Sequence, residues 1–393
     1  MTSPLGAGLV DFDRRRLLCH LSGAVTAIAA AAVGPVLASS SSVLPTLHRG
    51  INLSHWFELD QGQAVSAAEM LALRQLGMDH VRIPVDPVVG GWRPEAGARI
   101  RFLPALRSAI EQALAAGLNV VIDLHLDAAT KQQIEDNSVA ENALLTLWQQ
   151  LARDFSDLPL ARVAFELLNE PQYYGWRASR RWPALQQRLL QALREQAPRH
   201  LALLSGNEGG SLKGLLQLPL IPDPAVAYVF HYYEPFLFTH QGAEWLDSQK
   251  TTAGLYRGVR YPSQFQVVSP ARLSRPHPRA AQDIATYLKE DWGPLRIQSD
   301  IAAAGEFAKR HGVRALCNEF GAIRANVDVA SRYRWMTDVR SALELNGLGW
   351  TLWDYTDNFG ITSESAQLNK AGKRTLEPEA VHALGLGSGN VLR

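Results

Sequence analysis

Two glutamates in this chain stand where carboxylates do work. Glu170 closes an apolar run in Asn169-Glu170-Pro171, and Glu319 closes another in Asn318-Glu319-Phe320-Gly321. Other chemically capable residues lie in or at the ends of similar runs: Arg82 in the second, His125 in the third, His231 and Tyr233 in the sixth, Trp353 in the eighth. A carboxylate pair on different strands of one sheet can face each other across a sugar. A gap of roughly 5–5.5 Å lets one attack while the other trades a proton with the leaving oxygen, which retains the anomeric configuration; roughly 6.5–9.5 Å leaves room for water and inverts it. Residue order alone allows either. Metal-assisted hydrolysis needs clustered His and acidic ligands. The third run offers only His125 with Asp127, without a His-x-His pair, so neither metal nor other cofactor is expected.

These residues need a scaffold that brings distant strand ends to one place. Eight strand-like runs alternate with amphipathic stretches: Gly50–Ser54, His80–Val85, Val120–His125, Val163–Asn169, Leu201–Gly206, Val226–Tyr232, Ala315–Phe320 and Gly349–Trp353. Helical spacing between them shows in Leu103, Leu106, Ile110, Leu114 and in Trp182, Leu185, Leu189, Leu193. Several runs are nearly continuously apolar, as parallel strands covered on both faces are. The order predicts an α/β fold, a single (β/α)8 TIM barrel, whose strand carboxyl ends form the catalytic mouth. A doubly wound open sheet is the competing architecture, but no Gly-rich phosphate fingerprint opens an early helix. The long irregular stretch Tyr233–Arg279 follows the sixth strand and is expected to wall a cleft. Strand parity points Glu166 and Cys317 into the barrel interior, Glu166 as a partnered structural carboxylate and Cys317 as a small buried hydrophobe.

Composition bounds the partners. The 393 residues are 47% apolar and 20% charged, with a net charge of +1. That balance argues against nucleic acid and suits a neutral polymer. Arg14-Arg15-Arg16, the Ala-rich stretch to Leu37 and Val36-Leu37-Ala38 read as a signal peptide over residues 1–38, of twin-arginine type. The expectation is a periplasmic or secreted protein, monomeric and free of the membrane after cleavage, whose catalytic domain spans 39–393. Cys19 would leave with the signal, so Cys317 has no disulfide partner.

Phe165-Glu166-Leu167-Leu168-Asn169-Glu170-Pro171 and Cys317-Asn318-Glu319-Phe320-Gly321 resemble two catalytic strands of glycoside hydrolase family 5. Arg49-Gly50-Ile51-Asn52-Leu53, His80-Val81-Arg82-Ile83-Pro84, Val121-Ile122-Asp123-Leu124-His125, His231-Tyr232-Tyr233 and Gly349-Trp350-Thr351-Leu352-Trp353 follow the family's order. The resemblance covers essentially all of residues 39–393. It implies Glu170 as acid/base, with its pKa raised by the neighbouring Glu319 charge and a desolvated cleft, and Glu319 as nucleophile. It also implies Asn169 on the sugar 2-OH, and Arg82 and Tyr233 on the Glu319 carboxylate. His125 and His231 would flank the scissile bond, and Trp353 would form a stacking floor followed by a cis peptide. Many relatives carry a second His after the third-strand His; here Leu126 stands there. His55 and Trp56 are expected to line the negative subsites, and Trp92, Trp176 and Trp245 are candidate sugar platforms. The implied substrate is a β-linked polysaccharide, first a β-1,4-glucan cut internally, with β-mannan or β-1,3-glucan as alternatives. A polysaccharide-binding protein without catalysis is the reading from another class, and the presence of both glutamates with Arg82, Asn169 and Tyr233 argues against it.

Overall fold

Runs buried on both faces can satisfy their backbone only by pairing with each other, and here they do so in a closed ring. The computed structural model describes residues 44–387 apart from 61, 97–98, 250–251, 267–277 and 363–372; the expected signal segment lies outside them. Eight parallel strands close into a barrel in sequence order: β1 (Arg49–Asn52), β2 (His80–Val85), β3 (Asn119–Leu124), β4 (Val163–Glu166), β5 (Leu201–Ser205), β6 (Val226–Tyr232), β7 (Arg314–Phe320) and β8 (Gly349–Leu352), with β8 paired back to β1. The predicted (β/α)8 barrel is the fold observed.

The connections are right-sized helices. The first five are α1 (Ala67–Gln75), α2 (Leu103–Ala115), α3 (Ala128–Asp136), α4 (Ser138–Phe155) and α5 (Trp176–Arg194). The start of α1 is fixed by a capping box, in which the Ser66 hydroxyl accepts from the Glu69 amide and Glu69 returns the bond. Leu144, Leu147, Trp148 and Leu151 of α4 recur at helical spacing and are all buried. They pack with Val163 and Phe165, the outward residues of β4, in the main core.

Inside the ring, chemistry is layered. Val121, Ala164, Leu201, Leu203, Ala227, Val229 and Leu316 form a separate apolar cluster. Nearer the carboxyl ends the buried side chains become Asn52, Arg82, Asp123, Glu166, Ser205 and Glu319. Gly50 is required by this packing, because a Cβ there would fall 2.1 Å from the His80 imidazole. That imidazole reaches Thr351 Oγ1 at 2.8 Å and so ties β2 to β8 through the space beside β1.

Parity fails at one strand. The register of β7 shifts against both neighbours across Asn318, which is an extra residue in the ladder. Leu316 therefore faces the interior cluster, whereas Cys317 joins the outer core with the helices. The expectation that Cys317 points inward beneath Glu319 is corrected; its burial as a small hydrophobe stands.

Candidate active site

The mouth is organised around Arg82, which β2 presents into the ring with no solvent exposure. Its guanidinium makes five hydrogen bonds. Nε and Nη2 form a fork on Glu166 at 2.8 and 3.0 Å; Nη1 reaches Asn52 Oδ1 at 2.8 Å and Glu319 Oε1 at 2.7 Å; Nη2 also reaches Asn169 Oδ1 at 2.8 Å. Asp123 Oδ2 lies 2.9 Å from Nη2. A planar fork is the one cationic side chain able to serve so many acceptors at once. Burial would lower its pKa, but Asp123, Glu166 and Glu319 outweigh burial and hold it well above the usual value. Asn318 Nδ2 donates to Glu166 Oε1 at 2.8 Å, so the bulge residue completes that carboxylate's partners. The inward placement and cationic partner expected for Glu166 are what the structure contains.

Glu319 is held from both sides, by Arg82 on Oε1 and by the Tyr233 hydroxyl on Oε2 at 2.9 Å. Burial and the Glu319 charge push the Tyr233 phenol well above its usual range, so it remains a donor. Gly321 is needed just beyond: a Cβ there would meet the Trp353 carbonyl at 2.1 Å. The Trp353 amide in turn donates to Phe320 O at 2.9 Å, which sets the indole over the mouth. The Trp353–Asp354 peptide is cis, as the resemblance implies. The indole stacks on His125, centroids 5.6 Å apart.

The turn after β4 is pinned by three bonds from outside it. Trp148 Nε1 donates to Leu167 O, the Ser205 hydroxyl to Leu168 O, and the Asn169 amide to Leu124 O. Glu170 then takes φ 43°, a left-handed conformation that costs a non-glycine residue about 1–3 kcal/mol and is tolerated mostly at working sites. Its Oε1 accepts from His231 Nδ1 at 2.9 Å, and that nitrogen also lies 3.3 Å from Glu319 Oε2. Carboxylate oxygens of Glu170 and Glu319 and a ring nitrogen of His231 all fall within 4.8 Å of one another. Burial alone would lower His231, but the charges of Glu319 and Glu170 raise it. The reciprocal effect on Glu170 reverses an expectation. Burial would raise its pKa, yet the His231 cation and hydrogen bond bring it down to about 2. In the substrate-free protein the proton of this pair therefore sits on the imidazole.

His125 completes the floor. Its Nδ1 faces Asp123 Oδ2 at 2.8 Å and its Nε2 faces Asn169 Nδ2 at 3.0 Å. Burial lowers the ring's pKa, with Glu58 opposing, so a neutral ring donates to Asp123 and accepts from Asn169. Burial lifts Asp123 itself to about 7, against the pull of Arg82.

A cleft of about 580 Å3 joins these groups, lined by Glu170, Glu319, Tyr233, Trp353, His125 and His55 among others. Phe236, Trp245 and Leu246 add a wall from the long stretch after β6, as expected of it. Trp245 is half exposed, which suits a platform. The other loop tryptophans differ. Trp92 is 2% exposed and belongs to the core, so it is no platform. Trp56 stacks on Phe57 and lines a neighbouring hollow with Arg101 and Phe102 rather than this cleft. Trp176 is exposed on α5 beneath Arg177. Three groups were not singled out from sequence. Asp123 shares parity with His125 two residues on and was legible in principle. Glu58 accepts from the His55 amide at 2.8 Å and approaches His125 Nε2 at 3.8 Å. Asp354 is bonded by the Ser54 hydroxyl, and burial pushes its pKa well above the usual carboxylate range. Glu170, His231 and Glu319 also constitute a group of metal-type donors. They are already bonded to one another, and the Arg82 cation 2.7 Å from Glu319 would oppose an ion there.

The arrangement sets a carboxylate bonded by a guanidinium and a phenol beside a second carboxylate that shares a proton with an imidazole, a set suited to glycosidic chemistry. Comparison with known proteins agrees. Residues 42–359 match the family model described as Cellulase (glycosyl hydrolase family 5). The chain is 29% identical over 321 residues to Endoglucanase C of Acetivibrio thermocellus, covering 78% of this chain and 90% of that one. It is 24% identical over 317 residues to Cellodextrinase A of Ruminococcus flavefaciens, covering 76% and 83%. A solved structure of Thermotoga maritima Cel5A in complex with cellobiose superposes with a TM-score of 0.67 at 25% identity, covering 86% of this chain and 97% of the other. The barrel, its mouth and these likenesses together place the chain in glycosyl hydrolase family 5, the cellulase family, as a glycoside hydrolase.

Proposed function

We propose that the protein cleaves β-1,4-glucan internally with retention, Glu319 acting as nucleophile and Glu170 as acid and then base. The observation that carries this reading is the approach of the Glu170 and Glu319 carboxylate oxygens to within 4.8 Å. So close an approach favours the shorter carboxyl separation of retaining enzymes over the wider one of inverting enzymes. In the first step a Glu319 oxygen bonds the anomeric carbon as the glycosidic C–O bond breaks, and Glu170 protonates the departing oxygen. In the second, Glu170 takes a proton from water, which attacks the same carbon and releases Glu319. The proton that Glu170 gives is the one shared with His231. Substrate that displaces water and covers the pair moves it onto Glu170, since desolvation favours the neutral partners over the ion pair. Asn169, oriented by Arg82 and His125, is assigned to the sugar 2-OH, and Trp353 to the face of the sugar being cleaved.

The substrate assignment is supported by the endoglucanase relative and by a cleft walled with the exposed aromatic Trp245. On soluble cellulose derivatives, viscosity is expected to fall well before reducing ends accumulate. A fall only in step with reducing ends means exo action, and mannan cleaved much faster than glucan overturns the polymer assignment.

We also propose export. No helix among the described residues is long and apolar enough to cross a membrane, and Arg14-Arg15-Arg16 with the following apolar stretch supports a cleaved leader. N-terminal sequencing of the exported protein should begin at Ser39; an exported form beginning at Met1 contradicts cleavage.

A further inference from the structure

Trp353 and His55 line the cleft from the turns after β8 and β1. On the opposite arc of the closed ring, the turns after β4 and β5 supply Gln172, Tyr174 and Gly209. The mechanism above uses none of these three. Tyr174 is 59% exposed. A single exposed aromatic on a loop needs no explanation by itself. This one is tied to the acid/base carboxylate by the backbone around it.

The turn after β5 makes the tie. Glu208, Gly209 and Gly210 take φ of 53°, 71° and 71°, three left-handed residues in succession, of which only the glycines adopt that conformation without penalty. The turn grips its neighbour after β4: the Glu208 amide donates to Tyr173 O at 3.2 Å and the Gly209 amide to Pro171 O at 3.0 Å. Those two bonds hold the segment that runs from Glu170 to Tyr174. The glycines then fill the space between the two side chains. A Cβ on Gly210 would stand 3.6 Å from Glu170 Cγ and 3.4 Å from the His231 ring, and one on Gly209 would stand 3.8 Å from the Tyr174 hydroxyl. Bare backbone therefore forms a floor between the acid/base carboxylate and the tyrosine. From the loop after β6, Phe236 also lines the cleft, half-exposed and stacked on His240 with centroids 4.0 Å apart.

We propose that Tyr174 is the platform for the departing sugar, which lies over the Gly209–Gly210 floor with Gln172 beside it. The proposal rests on the reading of Glu170 as acid/base: the group that protonates the departing oxygen must have the departing sugar next to it. A tyrosine ring offers an apolar face to the C–H face of a β-linked glucose and loses little freedom when it is covered. The same place serves an incoming sugar. In transfer, an acceptor hydroxyl gives its proton to Glu170 while its oxygen bonds the anomeric carbon and Glu319 leaves. Tyr174 thus sets how the glycosyl-enzyme divides between a sugar acceptor and water, which needs no platform.

Tyr174→Ala and Tyr174→Phe, compared on cellotetraose and on β-cellobiosyl fluoride, test this, because the fluoride leaving group is a single atom that cannot reach the ring. In Tyr174→Ala, kcat/KM for cellotetraose should fall roughly tenfold more than kcat/KM for the fluoride, and Tyr174→Phe should recover most of that difference. With the fluoride as donor and cellobiose as acceptor, the ratio of transfer product to hydrolysis product should drop roughly tenfold in Tyr174→Ala as well. The melting curve should stay near that of the wild type, since the side chain is largely exposed. Equal losses on both substrates overturn the proposal, because the tyrosine would then act on Glu170 and not on the departing sugar. A transfer ratio that does not move overturns it too. The configuration of the first product that the wild type releases from the fluoride separates the two failures. A β-product with unmoved ratios removes the platform alone, whereas an α-product removes the double-displacement reading and this proposal with it.

Discussion

Glu319→Ala is expected to abolish turnover on every substrate, aryl β-glycosides with good leaving groups included. The loss should be on the order of 10⁴–10⁶-fold, the scale on which removal of a nucleophile from a covalent mechanism is felt. The carboxylates nearest Glu319 inside the ring are engaged elsewhere. Glu166 is forked on Arg82 and bonded by Asn318, Asp123 is shared between Arg82 and His125, and both lie fully buried. Glu170 is engaged by His231. The fold should tolerate the change, because Arg82 keeps Glu166, Asp123, Asn52 and Asn169 as acceptors after Glu319 is gone. A melting curve near that of the wild type would show that lost activity is lost chemistry. Added azide should enter the emptied space and give an α-glycosyl azide from an activated β-glycoside, a single inversion. More than about one per cent of wild-type rate on aryl glycosides, without azide, would place the nucleophile elsewhere.

How much of this site could be read from residues alone follows from where the partners come from. The strand ends were legible because alternating and continuous apolar runs fix which side chains reach one face, and β2 and β6 begin and end as the pattern predicts. Glu166 was legible for the same reason, four residues before Glu170 on a regular strand. Cys317 was not, because Asn318 adds a residue to β7 and resets parity; no feature of the segment Ala315–Phe320 marks a bulge. Trp92 looked like a platform because loop tryptophans do, and only three-dimensional packing separates an anchor from a surface. The ionisation of Glu170 was the deepest miss. Its controlling partner, His231, arrives from β6, 61 residues away, and reverses the effect that burial and Glu319 alone would have. Long-range electrostatics is a property of the closed barrel, and strand patterns carry no signal of it.

Glu170→Ala should fail differently from Glu319→Ala, and the difference tests the division of labour. On natural glucan the departing sugar oxygen needs a proton, so kcat should fall by roughly 10²–10⁴-fold, the range assigned to a positioned acid/base group. On an aryl glycoside with an acidic phenol, departure needs little protonation, so Glu319 should still form the glycosyl-enzyme and release one burst of phenol. Turnover then stalls, because no base activates water for the second step. Azide needs no such activation; it should accelerate steady-state release and yield a β-glycosyl azide by attack on the α-linked intermediate. The pH profile should change in a definite direction. In the wild type the pair holds its proton until pH rises through the elevated His231 pKa, and activity is lost above that point. Removing Glu170 deletes a charge that raises His231, so the ring releases its proton at lower pH. The alkaline limb should vanish for the aryl glycoside, whose cleavage no longer draws on that proton. Product stereochemistry by proton NMR, with burst size measured by rapid quench, reads all of this. An α-azide from Glu170→Ala breaks the retaining assignment; a β-azide absent at saturating azide, with the burst intact, removes Glu170 from the acid/base role and leaves Glu319 as nucleophile.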